Sequence, residues 1–315
     1  MTVKTSFMLR HVEFQNRVFV ASGTFGYGDE INDLVDPNKL GGIVTKSLSW
    51  KPRDGNPPRR IAETPSGMLN SIGLANIGVH TFIEKKLPFL RTLKTRIIVN
   101  IAASSVQEYC DVLALLERHD GIHGYEINVS CPNVKEGGLS FGTNVDRTRE
   151  ITERLRPLTE KPLIIKLTPN VTHMSEFARA VKDAGADAVS CINTLVGMAV
   201  DVRTRTPRLS TVTGGLSGPA IKPIALAKVF EVAKSVDIPI FGIGGITTAD
   251  DAIEFLLVGA CAVQVGTTNF VDPGASVRIA EGIAGYASSN GIDDVGKLVG
   301  SLKADVKASV LQTWL

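Results

Sequence analysis

Leu163-Ile164-Ile165-Lys166-Leu167 opens the stretch that decides the fold. This short β-rich run is followed by an amphipathic segment, Ser175 to Ala184, which stops at Gly185, and then by a second run, Ala188 to Ile192. Strand, helix and strand within about thirty residues make a βαβ unit, whose strands pair in parallel. The junction Ala184-Gly185-Ala186-Asp187-Ala188-Val189 is echoed by Val258-Gly259-Ala260-Cys261-Ala262-Val263, one helix–Gly–strand device used twice.

The same alternation runs outward in both directions. A hairpin is read over Met8 to Phe14 and then Arg17 onward, and the strands that follow are Val18 to Ala21, Ile43 to Thr45, Ile97 to Asn100 and Tyr125 to Asn128. Leu163 to Leu167, Ala188 to Ile192, Ile240 to Ile243 and Ala262 to Val265 bring the count to eight. Helices are expected over Val106 to His119 behind Ser104/Ser105, and over Val145 to Leu158 behind Asn144. Pro219 to Val236, Ala249 to Val258 and Ala275 to Ser288 complete the set. Eight strand–helix units predict an α/β fold, a (β/α)8 or TIM barrel with an N-terminal hairpin. A doubly wound open sheet would prefer an early G-x-G-x-x-G with an acidic residue about 20 positions on, and the first βα turn has none. The chain, 1-315, reads as a single domain, with 1-17 as the hairpin region and 195-218 as an insertion after the sixth strand. Ser47 to Leu74 and Leu195 to Gly218 are long for loops and belong at the C-terminal face of the strands.

Composition narrows the function classes. Of 315 residues, 43% are apolar, 21% charged and 6% aromatic, with a formal charge of +2. No dense basic cluster carries interleaved aromatics, so nucleic acid is not an expected partner. Arg59-Arg60 and Arg203 to Arg208 read as solvated loop faces. The four cysteines, Cys110, Cys131, Cys191 and Cys261, form no CxxC, so neither a bound metal nor a cluster is expected on this chain. Met1 to Arg10 lacks the apolar core of a signal peptide, and Phe255 to Val265 falls short of the roughly 20 residues that span a bilayer. A reduced, cytoplasmic protein with no membrane association is the expectation.

Polar groups gather at the strand tips: Ser22, Lys46, Asn100, Asn128, Lys166, Asn193 with Thr194, Gly244-Gly245 and Gly266-Thr267. Singly, each is an ordinary cap or turn former; converging from eight units on one rim, they read as a site. The two glycine-bearing turns after the seventh and eighth strands expose backbone N–H groups suited to a phosphate. Lys46 and Lys166 end apolar strands, where an ammonium needs either a carboxylate on a neighbouring strand or an anionic ligand. Cys131 opens the loop Pro132-Asn133-Val134-Lys135-Glu136-Gly137-Gly138 directly after a strand. A thiol placed there can act as base or nucleophile once tuned, and no histidine stands beside it in sequence.

Asn70-Ser71-Ile72-Gly73-Leu74, Asn128-Val129-Ser130-Cys131-Pro132-Asn133 and Gly242-Ile243-Gly244-Gly245-Ile246 carry a resemblance that runs from Phe19 to Thr267. The chain resembles the class 1 dihydroorotate dehydrogenases. The cysteine at 131 stands where the membrane-associated class 2 enzymes use serine, and Val134 to Gly138 resembles the NAD-linked heteromeric subclass (class 1B). The resemblance implies FMN held by Ser22, Lys46, Ser47, Asn100, Asn128, Lys166 and Ile192, with Gly218, Gly244, Gly245, Gly266 and Thr267 around its phosphate. It implies a substrate site of Lys46, Asn70, Ser71, Ile72, Gly73, Leu74, Asn128, Asn193 and Thr194. Dihydroorotate would become orotate, a step of pyrimidine (UMP) synthesis, with Cys131 taking the C5 proton and hydride leaving C6 for the flavin. The loop Lys135 to Phe141 would close over the site. It further implies a homodimer core and a partner subunit with FAD and a [2Fe–2S] cluster, two plus two, passing electrons to NAD. Rival readings are the fumarate-linked class 1A enzyme, another FMN barrel oxidising dihydropyrimidines or hydroxy acids, a flavin-free phosphosugar barrel, and a non-catalytic flavoprotein scaffold.

Overall fold

A computed structural model describes residues 2–31, 33–130 and 141–303. Strands β1 (Phe7–Leu9) and β2 (Val12–Phe14) form an antiparallel hairpin. It is complete before Arg17, so the chain from Arg17 onward enters the barrel instead of forming a hairpin arm. β3 (Val18–Val20) and β4 (Gly42–Val44) precede a second hairpin, β5 (Ile61–Thr64) and β6 (Gly67–Asn70). Next come β7 (Arg96–Ile101), β8 (Gly124–Asn128), β9 (Leu163–Lys166) and β10 (Ala188–Cys191). The insertion holds β11 (Leu195–Met198), β12 (Val200–Asp201), β13 (Thr206–Pro207) and β14 (Thr213–Ser217), and β15 (Ile240–Ile243) and β16 (Ala262–Val265) finish the series. β3, β4, β7, β8, β9, β10, β15 and β16 close in that order into a parallel barrel, as the eightfold alternation predicts.

The helices refine the expected bounds. α1 (Gly78–Lys85) and α2 (Leu87–Leu90) are additional to those expected and fill the return from β6 to β7. α3 (Val106–Leu116) starts where the Ser105 side chain accepts the Glu108 N–H at 3.1 Å, and stops short of His119. α4 (Val145–Leu155) is capped by Asn144, which accepts the Arg147 N–H at 2.9 Å. It tightens into a 3-10 turn at Arg156–Leu158, because Pro157 has no N–H to continue the α ladder. α5 (Met174–Asp183) starts one residue before Ser175. Pro219–Ile221 is a 3-10 turn, and α6 (Lys222–Ala233) begins only behind it. α7 (Ala249–Leu257), a short α8 (Thr268–Val271) and α9 (Ala275–Ser289) follow.

The barrel has one closed end. Phe7 and Phe14 of the hairpin stack at 5.1 Å between ring centroids, and Phe14 and Phe241 each lie 5.1 Å from Phe19. These rings, with Ile98, Ile164, Ala188 and Ala262, form an apolar floor at the N-terminal side of the strands. Access is left to the C-terminal side. There the two long insertions pair with each other, in a four-stranded sheet of order β11-β14-β6-β5.

Candidate active site

Strand register brings the polar tips together. Asn128 ends β8 opposite Lys166 of β9, which in turn faces Ser190 of β10. Asn128 is half-buried and its Oδ1 accepts from Asn193 Nδ2 at 3.2 Å and from the Ser130 N–H at 3.2 Å, while its carbonyl accepts the Tyr109 hydroxyl at 2.6 Å. Asn193 Oδ1 accepts the Thr194 N–H at 2.8 Å. Two carboxamides and a threonine are thus held at one point of the rim. Asn170, which no sequence signal marked, supports them from behind by donating to the Thr194 carbonyl at 3.0 Å. Lys46 follows β4, half-buried, with its N–H on the Gly26 carbonyl at 2.8 Å. Its ammonium forms no ion pair with any described residue.

Beneath this rim lies a buried polar layer. Glu126 is fully buried, with Oε1 accepting Asn100 Nδ2 at 2.7 Å and Oε2 accepting Ser190 Oγ at 2.7 Å and Gln264 Nε2 at 2.6 Å. Lys166 Nζ stands 3.6 Å from Oε1, so the carboxylate on a neighbouring strand expected for this lysine is Glu126. Asn100 Oδ1 accepts from Ser47 Oγ at 2.6 Å. Asn100 is wholly shut off from solvent, whereas Lys46, Asn128 and Asn193 reach it. Glu126 and Gln264 were legible in principle. Side chains two apart on a strand share a face, so the assignment of Asn128 and Gly266 to the mouth places Glu126 and Gln264 inside the barrel.

The segment Asn70 to Leu74 forms one wall. β14 fits between it and Thr194 because Gly214 and Gly215 carry no side chain. A Cβ on Gly214 would sit 2.6 Å from the Asn70 carbonyl oxygen, and one on Gly215 would sit 2.7 Å from Thr194 Cβ. Asn70 Nδ2 donates to the Gly215 carbonyl at 3.3 Å. The Ser71 N–H is held by the Arg60 carbonyl at 2.7 Å, and its buried hydroxyl has no partner among the described residues. Gly73 and Leu74 are both left-handed (φ +73° and +57°), an uncommon state for leucine that Asn76 supports by donating to the Leu74 carbonyl at 2.8 Å. Arg60, expected to be a solvated loop residue, instead ties the wall together, with Nε on the Asn56 carbonyl and a terminal nitrogen on that of Asp54 at 3.0 Å.

Opposite lies a glycine cradle. A Cβ on Gly245 would stand 2.9 Å from the Gly218 carbonyl oxygen, and one on Gly218 would stand 3.6 Å from Thr267 Cγ2. Thr267 Oγ1 bonds Ser217 Oγ at 2.8 Å. The N–H groups of Gly245, Gly266 and Thr267 find no backbone acceptor among the described residues. A Cβ on Gly266 would meet only Ala21 Cβ, at 3.6 Å, which leaves open space beside Ser22. Gly244 is buried against α6, where a Cβ would come within 2.7 Å of Ala225 Cβ. Ile192 is buried behind it, 3.6 Å from the same point.

Of the thiols, Cys191 and Cys110 are pushed up by burial, and Cys261 is pushed up to about 12 by the same cause. All three therefore hold their protons at neutral pH. Cys131 and the loop from 131 to 140 lie outside the described residues; Phe141, the last residue expected in the lid, is described and buried. The chain leaves this loop at a fixed point, since the Gly142 N–H donates to the Val129 carbonyl at 2.8 Å. Among the described residues no group of three or more His, Cys, Asp or Glu could hold a metal, and no helix is long and apolar enough to cross a membrane.

The family model for dihydroorotate dehydrogenase matches residues 4–286. A curated relative from Geotalea uraniireducens, the catalytic subunit of dihydroorotate dehydrogenase B (NAD(+)), is 54% identical over 291 residues, 92% of this chain and 95% of the relative. Proteins of the same name from Thermoanaerobacter sp. (strain X514) and Geobacter sulfurreducens are 51% and 52% identical over 294 and 292 residues. Each alignment covers 93% of this chain, and 97% and 96% of the respective relative.

Proposed function

The chain belongs to the dihydroorotate dehydrogenase family, and we propose that it is the FMN-bearing catalytic subunit of an NAD-linked enzyme that oxidises dihydroorotate to orotate. The observation that carries this reading is the rim itself: the Asn128–Asn193 amide pair stands above a buried ammonium, between a glycine cradle and the Asn70 to Leu74 wall. The cradle's unbonded N–H groups suit a phosphate. The buried Lys166 suits a ring system that gains negative charge on reduction. FMN, when bound, supplies the hydride acceptor. In this reading 1-315 is one FMN-binding domain.

The residues divide the work by chemistry. Gly218, Gly245, Gly266 and Thr267 hold the phosphate through backbone donors, with Ser22 beside them. Lys46 meets the substrate carboxylate, because among the described residues no anion pairs with its ammonium. Asn70, Asn128 and Asn193 hold the substrate ring by its amides and carbonyls, the orientation contribution to rate. Ser71 offers the same ligand a buried hydroxyl that has no partner among the described residues. Cys131 takes the C5 proton, and the loop to Phe141 shields the site from water.

A partner subunit carrying FAD and a [2Fe–2S] cluster receives the electrons, two copies of each chain forming the assembly. An exposed apolar alternation, Val196, Met198, Val200 and Val202, runs along the insertion and supports a face covered by a second copy of this chain. The test of the whole reading is anaerobic mixing of the FMN-loaded chain with dihydroorotate. Loss of flavin absorbance is expected, and Cys131→Ala should retain FMN while reduction slows about 10²–10⁴-fold. Reduction of the variant at the parent rate removes Cys131 as the base, and reduction by dihydrouracil alone replaces the substrate.

A further inference from the structure

We propose that Glu126 is a positioning residue for the redox site: its carboxylate anchors the Lys166 ammonium and orients Asn100, and so sets how strongly the mouth stabilises a reduced flavin. This rests on the FMN reading above. Barrel interiors are ordinarily layers of branched apolar side chains. One layer down is apolar in that way, with Ile98 and Ile164 beside the smaller Ala188 and Ala262, packed against the hairpin. Two residues further along the same four strands stand Asn100, Lys166, Ser190 and Gln264, converging on Glu126 from β8.

Stability does not require such a layer. A buried ion pair costs desolvation of two charges, and apolar replacements of similar volume are often neutral or stabilising. Among the described residues the polar partners of the Glu126 carboxylate, Asn100, Ser190, Gln264 and Lys166, all present donors and none is an acid. At 3.6 Å the Lys166 ammonium is held by charge with no close hydrogen bond, which leaves its N–H groups for an acceptor at the mouth. Asn100, wholly buried, links this layer to the rim through Ser47. Glu126 therefore balances Lys166, a cation buried beneath the rim. Removing that balance leaves Lys166 free to stabilise negative charge on a bound flavin.

The experiment is a double-mutant cycle of Glu126→Gln and Lys166→Met on the FMN-loaded chain, read by flavin midpoint potential, with FMN affinity of the apoprotein alongside. Glu126→Gln should favour the reduced over the oxidised flavin by tenfold or more, a rise of about 30 mV or more for a two-electron couple. In the Lys166→Met background the same substitution should shift nothing, because the group it acts through is gone. An unchanged potential, or an equal shift in both backgrounds, overturns the proposal. Should Glu126→Gln fail to fold, Glu126→Asp keeps the charge but withdraws it by one methylene. A smaller rise, again confined to the lysine-bearing background, is then expected, and no rise overturns it. If the parent takes up FMN but dihydroorotate does not reduce it, the proposed function fails and the cycle still decides this inference. A parent that takes up no FMN overturns both.

Discussion

Gly245 and Gly266 look alike in sequence and occupy opposite situations in space. Gly245 is left-handed (φ +73°), and a Cβ there would lie 2.8 Å from Lys222 Cβ and 2.9 Å from the Gly218 carbonyl. Gly266 needs no special backbone, and its missing Cβ borders open space. Gly245→Ala should therefore destabilise the fold by about 1–3 kcal/mol, through strain and overpacking. Gly266→Ala should melt with the parent yet bind FMN more weakly, because its methyl enters the cradle. Thermal melts of the two apoproteins beside flavin titrations check this, and equal melting points for both variants would contradict it. Both glycines were visible in the chain as turn residues after strands, but which one a methyl group would clash at and which one borders open space is a matter of three-dimensional neighbours. The same limit hid Glu126: an acidic residue inside an apolar run is legible by its period, whereas the four donors that satisfy it come from four other strands.

At the scale of elements, strand positions were readable and helix ends less so. Each barrel strand lies within one residue of its expected bounds, because buried β-branched runs end abruptly at polar tips. Helix ends depend on caps and on contacts beyond the local sequence. α7 shows how. Thr248 and Asp251 form a capping box, and Asp251 also accepts from Lys222 of α6 at 2.5 Å and from Thr247 Oγ1 at 2.6 Å. One carboxylate thereby joins the starts of two helices next to the Gly245 turn. Burial alone would push this carboxyl up, but Lys222 and the donors of Thr247 and Thr248 hold it well below the ordinary carboxylate range. A depressed carboxyl stabilises the fold above its unfolded value of about 3.9, and the contribution is lost as pH falls below that. Asp251→Asn should thus melt lower than the parent at pH 7, with the gap closing in acid. A gap of constant size from pH 7 to pH 3 would show that the charge plays no part.

Across the whole molecule, the barrel separates what holds it together from what it works with. The hairpin, absent from the βα repeat itself, fills the N-terminal end with Phe7 and Phe14 against Phe19 and Phe241. The two insertions build the other end by pairing β6 with β14, so the lengths that looked excessive in the sequence become one wall of the mouth. Their presence was evident from loop length, but their mutual pairing was not, since nearly 150 residues separate the partners, Asn70 and Gly215 among them. If the two ends are independent, damage to the floor must appear as lost stability alone. Phe14 is fully buried, and Phe14→Ala should cost about 3–5 kcal/mol through lost burial and the cavity left in the aromatic cluster. The cavity would open within the apolar floor, whereas Lys166 stands one layer above that floor and the glycine cradle lies at the far ends of the strands. FMN affinity of the folded variant, measured well below its lowered melting point, should therefore match that of the parent. A variant that melts with the parent would show that the hairpin is not part of the core, and one that remains folded but loses FMN would show that floor and mouth are coupled through the barrel interior.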